Sequence, residues 1–277
     1  MKKILSFPLA LGTVVLSSLG INLPIQAETL TQQSGEIRAE LSYQSGEICI
    51  DSPIQLQISR RQQVVFNETI QISEACRLHS PSETPFTIQD LDQNGEPELI
   101  LDFYSGGAHC CFFSLVYRYD SDSNQYQMTR HEWYNFPYEL KDQNQDNQPE
   151  FHSLDNRFAY QFAPFATSGF PLQIWQYNQG EFKDVTRQYP DLVYDDAYYW
   201  WQNFSEAQTS CRRNQACGEG FLAAYVAAKA LLGQEQDAWA RVRQTYRGNG
   251  CTISECVGRE AFFGQVQSFL RETGYSR

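Results

Sequence analysis

The feature that most constrains this chain is an internal repeat at an offset of 52 residues, with residues 86–99 matching residues 138–151. Asp90 aligns with Asp142, Pro97 with Pro149 and Glu98 with Glu150, and Phe86 and Leu99 align with Tyr138 and Phe151. The downstream stretches 113–120 and 169–178 correspond once small insertions are allowed. Each unit reads as an acidic loop, a strand, a glycine-containing turn, a strand, a polar turn and a third strand. Repeats of about 50 residues belong to blade-like β units that bury their faces against neighbours. Two units are too few to close a propeller, which needs about four blades.

Upstream, Ile48 and Ile50, Leu56 and Ile58, Val64 and Phe66, and Ile70 and Ile72 are spaced by two, the period of half-buried strands. These strands supply either a further degenerate unit or a covering sheet. The polar stretch 28–39 reads as a loose terminus. After about residue 190 the pattern changes to helical: residues 221–232 are alanine-rich and end at Gly233. Ala238, Val242 and Tyr246, then Phe262, Val266 and Leu270, recur every four residues as on helix faces. The charge shifts too. Residues 86–160 hold 13 acids against four bases, and residues 205–277 hold nine bases against seven acids. The expected class is α+β, with a mostly antiparallel β module with propeller-blade-like repeats over 28–190 and a small helical domain over 191–277.

Residues 1–27 read as a secretory signal peptide: Lys2 and Lys3, a short apolar run, then small Ala27 before the cleavage point. Its removal takes the formal charge from −12 to −14. No later segment is apolar enough for a transmembrane helix, so the expected product is exported, periplasmic or extracellular. The acidic excess argues against a nucleic-acid partner or an anionic membrane surface. All eight cysteines lie beyond the leader, an even count that suits disulfides. Cys49 and Cys76 are placed to close a hairpin, and Cys211, Cys217, Cys251 and Cys256 to pair among themselves. Adjacent Cys110 and Cys111 point to opposite faces on a regular strand, so pairing them requires a distorted backbone.

The loops carry the chemistry. Asp90, Asp92, Asn94 and Glu98 occupy positions 1, 3, 5 and 9 of a loop, with Gly95 at position 6 and the carbonyl of Glu96 at position 7. Alternating oxygens let a curled loop aim at one hard cation, and glycine supplies the positive φ of the bend. Asp142, Asn144, Asp146, the Gln148 carbonyl and Glu150 repeat the pattern, with Asn147 for the glycine. Calcium suits such a set better than magnesium, which demands stricter octahedral geometry. An EF-hand would need a bidentate Glu at position 12, which is Leu101 or Ser153, and a helix where a strand-like run follows. On these residues the stretch 84–190 resembles the FG-GAP or VCBS repeats of integrin-α-like propellers. That resemblance implies calcium between strands and an extracellular recognition or scaffold role.

No catalytic machinery is legible. His109 beside Cys110 and Cys111 could suggest a thiol nucleophile, but a free thiolate does not suit an oxidising compartment. His131 and His152 are isolated. Asp195 and Asp196 sit beside the aromatic run Tyr198, Tyr199, Trp200 and Trp201, which reads as core at the junction of the modules or as a sugar-stacking surface. The leading expectation is a calcium-stabilised binding or scaffold protein whose partner is an extracellular protein or glycan. The alternative is an extracytoplasmic hydrolase acting on a polymer through acidic residues.

Overall fold

Alternation of apolar and polar side chains builds three antiparallel sheets, and the computed structural model describes them over residues 27–44, 53–72, 76–79, 86–107, 110–212 and 215–276. Residues 1–26 of the expected leader, Cys49 with Ile48 and Ile50, and His109 lie outside the described residues, whereas Ala27, expected to end the leader, opens the first strand. The first sheet is a meander of β1 (Ala27–Ser34), β2 (Ile37–Gln44), β3 (Ile54–Arg60) and β4 (Gln63–Ile70). Its inner face is Ile37, Ala39, Leu41, Ile54, Leu56 and Ile58, with Leu41 opposite Leu56 and Ala39 opposite Ile58. The stretch expected to be a loose terminus is therefore ordered. β1 pairs along its whole length with β2, and Thr29 and Ser42 share a hydroxyl hydrogen bond (3.0 Å). A polar edge strand shows little apolar period because most of its side chains face water.

The second sheet contains β7 (Glu98–Tyr104), β8 (Phe112–Asp120) and β9 (Gln125–Tyr134), with β5 (Arg77–Leu78) and β6 (Phe86–Gln89) sharing the outer edge of β7. The third is β10 (Glu139–Lys141), β11 (Glu150–Leu154), β12 (Leu172–Asn178) and β13 (Glu181–Asp184). Strand for strand, β6 to β9 correspond to β10 to β13, and β7 and β11 begin 52 residues apart. No propeller closes among the described residues.

β7 is covered on both faces, and its two sets of side chains do different things. Leu99, Leu101 and Phe103 join the core shared with the first sheet. Ile100 joins the core shared with the third sheet, beside Trp133, Phe151 and Tyr177. Because strand side chains alternate, Glu98 and Asp102 lie on the Ile100 side. The first sheet is thus a covering sheet, and each large apolar side chain buried there contributes about 1.5–3 kcal/mol.

Helices follow: α1 (Pro190–Thr209), α2 (Glu219–Leu231), α3 (Glu235–Thr245) and α4 (Arg259–Glu272). Pro190 opens α1, and Gly233 (φ +72°) terminates the α2 end as expected. Cys211 pairs with Cys217 and Cys251 with Cys256. Cys110 and Cys111 are bonded to each other and joined by a cis peptide. The helical core also takes in Phe158, Phe162 and Phe170 from the β11–β12 connection. Gly220 allows this approach, since a β-carbon there would lie 2.4 Å from the Thr167 carbonyl oxygen. Tyr275 donates to buried Asp155 (2.9 Å), tying the end of the described chain to the same connection.

Candidate metal centre

The first loop leaves β6 and enters β7 at Glu98, which is fully buried. Gln93 (φ +59°) and Gly95 (φ +83°) turn the backbone so that its N–H groups point inward. Each of three carboxylates is then fixed through one oxygen. Asp90 Oδ2 accepts from the Gly95 N–H (2.9 Å), Glu98 Oε2 from the Leu91 N–H (2.9 Å), and Asp92 Oδ2 from the Gln179 N–H (3.0 Å). The other oxygens, Asp90 Oδ1, Asp92 Oδ1 and Glu98 Oε1, are buried without a hydrogen-bond partner. One oxygen from each of the three residues lies within 4.8 Å of the others.

Uncompensated buried charge is costly, and the cost is visible in Glu98. Its carboxyl is pushed up to about 8, chiefly by burial and further by the Asp92 and Asp90 charges, against the pull of the Leu91 N–H. Burial, and then the Glu98 charge, also raise the pKa of the Tyr177 hydroxyl. Asn94 Oδ1 accepts from the Glu96 N–H (2.7 Å). The Glu96 side chain turns away to Arg60 of the covering sheet, Nη2 to Oε2 at 2.7 Å, so the backbone carbonyl is what Glu96 has to offer a cation. The donor set is all oxygen and predominantly anionic, as a hard divalent cation requires.

The second loop repeats the scaffold. Gln145 (φ +61°) and Asn147 (φ +67°) match Gln93 and Gly95. Asn147 N–H to Asp142 Oδ2 (2.9 Å), Gln143 N–H to Glu150 Oε2 (3.1 Å) and Gln148 N–H to Asp146 Oδ1 (2.8 Å) match the bonds of the first loop. The remaining oxygens of Asp142 and Asp146 differ from their counterparts, while Glu150 Oε1 is buried without a hydrogen-bond partner, as Glu98 Oε1 is. Asp142 Oδ1 takes the Asp146 N–H (3.1 Å), and Asp146 Oδ2 takes the Asn144 amide (2.8 Å). Asp142, Asn144 and Asp146 are exposed, whereas Glu150 is buried. Among the described residues, three carboxylates converge at Asp90, Asp92 and Glu98 alone.

Sequence reasoning missed the parts contributed by other segments. Gln179, in the β12–β13 turn, holds Asp92 through its backbone, which leaves no side-chain signal. The Gln93 amide donates to the Asp146 carbonyl and joins the two loops. Elsewhere, His131 is packed against Trp133 and Phe182 (ring centroids 4.2 Å from each) and burial lowers it to about 4, so it is a neutral aromatic-core residue. Asp195 is exposed, while Asp196 accepts from the Leu172 N–H (3.1 Å) and burial raises it to about 7.

Residues 193–274 match the family model described as the sll0997 C-terminal domain. Over 219 residues the chain is 30% identical to the "Probable thylakoid lumen protein sll0997" of Synechocystis sp., covering 70% of this chain and 62% of that protein. It is 29% identical over 164 residues to the "Uncharacterized protein y4bJ" of Sinorhizobium fredii, covering 54% of this chain and 23% of the relative. The chain therefore spans less than two thirds of either relative. No solved structure matches. No helix among the described residues is long and apolar enough to cross a membrane.

Proposed function

We propose that this chain is an exported binding or scaffold protein whose β module is locked by one calcium ion in the first loop. The observation that carries the reading is the division of labour within each carboxylate. One oxygen is oriented by a backbone N–H, its partner is buried and unpaired, and the three carboxylates each bring an oxygen within 4.8 Å of the others. Orphaned buried oxygens are destabilising, and a divalent cation satisfies all three at once. Asp90, Asp92 and Glu98 would hold the ion, with the Glu96 carbonyl and Asn94 as further oxygen donors. Because Asp92 is also tied to Gln179, the ion would brace the second sheet against the third.

The compartment is supported by the signal-peptide-like leader, the disulfides and the similarity to a protein named as a probable thylakoid lumen protein. The partner is read as an extracellular protein or glycan.

Thermal melting during calcium titration tests the reading. Calcium at a hundredfold excess over its dissociation constant adds about 2.7 kcal/mol, a rise of about 5–10 °C for a chain of this size. Magnesium at the same concentration should give a smaller rise, and Asp92→Ala should abolish the calcium response. A melting temperature indifferent to calcium in the intact protein would remove the proposal.

A further inference from the structure

The helical region carries a groove that neither the metal centre nor the core explains. On α1, Tyr194, Tyr198, Trp201 and Ser205 follow one another at helical spacing and share one face, about 5–6 Å apart along the axis. Trp200 and Phe204 of the same helix turn inward to the core. Tyr194 and Tyr198 remain 57% and 55% exposed. With Tyr225 and Lys229 of α2 and Arg241 of α3 they line a groove of about 560 Å³, within the range of small-ligand sites.

Three properties define its chemistry. Aromatic rings form the wall: Trp201 and the buried Tyr225 have ring centroids 5.0 Å apart, tilted by 53°, and the exposed Tyr194 and Tyr198 line the groove beside them. Polar groups line it too, namely the Tyr194 and Tyr198 hydroxyls, Gln202, and Ser205, whose buried Oγ has no hydrogen-bond partner, while the Tyr225 hydroxyl is engaged by Arg241. The charged residues of the lining are both cationic, Lys229 and Arg241, in a chain of formal charge −12. Arg241 lies 3.8 Å over the Trp201 ring, and a stacked guanidinium presents its N–H edge in the plane where a carboxylate binds. Lys229 donates to Gln234, and Asp237 lies close enough to influence it.

Apolar faces with hydroxyl-rich edges and a carboxylate are the chemistry of an acidic sugar. We propose that this groove binds an anionic oligosaccharide, its pyranose faces stacked on the exposed Tyr194 and Tyr198 rings and a ring carboxylate on Arg241, which the Trp201 ring holds in place. The groove is built by α1 to α3 alone, so the proposal does not rest on calcium in the β module.

Isothermal titration of the whole exported chain with hexagalacturonate, cellohexaose and a hexaglutamate peptide tests it. Hexagalacturonate should bind at least tenfold more tightly than either of the others. Trp201→Ala should weaken it about tenfold, because the ring that holds the Arg241 guanidinium is lost. Arg241→Gln should weaken hexagalacturonate while leaving cellohexaose unchanged. Trp201 is half-buried, so Tyr198→Ser, at an exposed position, provides the variant whose melting temperature should stay unchanged while its affinity falls. Absence of binding to hexagalacturonate overturns the proposal, as does equal affinity in Tyr198→Ser and Arg241→Gln. Equal binding of cellohexaose removes the anionic specificity, and equal binding of hexaglutamate makes the groove a site for acidic peptides instead.

Discussion

Setting aside Glu96, whose side chain turns to Arg60, the two acidic loops each aim three carboxylates at their centre from the same backbone, Asp90, Asp92 and Glu98 against Asp142, Asp146 and Glu150. They differ in what Asp92 and its counterparts have left to offer. At position 5 the side-chain oxygen accepts from the N–H of position 7 in both, Asn94 from Glu96 and Asp146 from Gln148. An acid placed there has one oxygen committed to the turn, and Asn144 takes the other. At position 3 the first loop has Asp92 and the second Asn144. Asp92 is anchored from another sheet and keeps a buried oxygen unpaired, whereas Asn144 closes its own loop. On the proposed reading, cation binding depends on which position bears the charge and on what lies over it. The count of acids does not decide it.

Exchanging that one position should have the largest effect. Asp92→Asn makes the first loop resemble the second and should lower calcium affinity on the order of a hundredfold, since affinity follows ligand charge. Asn144→Asp in the exposed second loop should add only a weak site, and calorimetry of both variants checks the asymmetry. Next in size is Glu98→Gln, which removes the most deeply buried of the three acids. In chelator it should melt a few degrees higher than the parent because like-charge repulsion and desolvation are relieved. In calcium that order should reverse, and melting curves in both buffers would expose a failure to cross.

Asp102, four residues along β7, provides an internal control because both its oxygens are used. Ser114 donates to one and Tyr138 to the other (2.9 Å). Burial raises Asp102 to about 6 despite those bonds. Since its folded value is above the unfolded one of about 4, the folded state binds the extra proton between them. Its contribution to stability is greatest below about pH 4 and is lost as the pH rises towards about 6. Asp102→Asn should flatten that slope in urea melts run across the interval and leave the calcium response intact. The smallest effect concerns the bend: Gly95→Ala meets no neighbouring atom but must hold φ +83°, costing about 1 kcal/mol, while Asn147→Gly should change stability by a few tenths.

What was legible in the sequence was local. The repeat gave the strand order, and Gly95 and Asn147 marked the left-handed bends because few other residues suit them. The α2 stop followed from the glycine at 233, and the inward faces of α3 and α4 from period. β1 was missed because a polar edge strand carries little hydrophobic alternation. The β11–β12 connection was assigned to the β module, yet Phe158, Phe162 and Phe170 pack into the helical core, an association set by tertiary contact. For the same reason the two loops looked alike: the Gln179 N–H that separates them comes from 87 residues away.

Calcium stoichiometry by equilibrium dialysis tests the asymmetry of the loops most directly, using the intact chain, Asp92→Asn and Asp146→Ala. One tightly held ion in the intact chain, lost in Asp92→Asn and kept in Asp146→Ala, is the predicted result. No bound ion, or one that survives Asp92→Asn and disappears in Asp146→Ala, would contradict it.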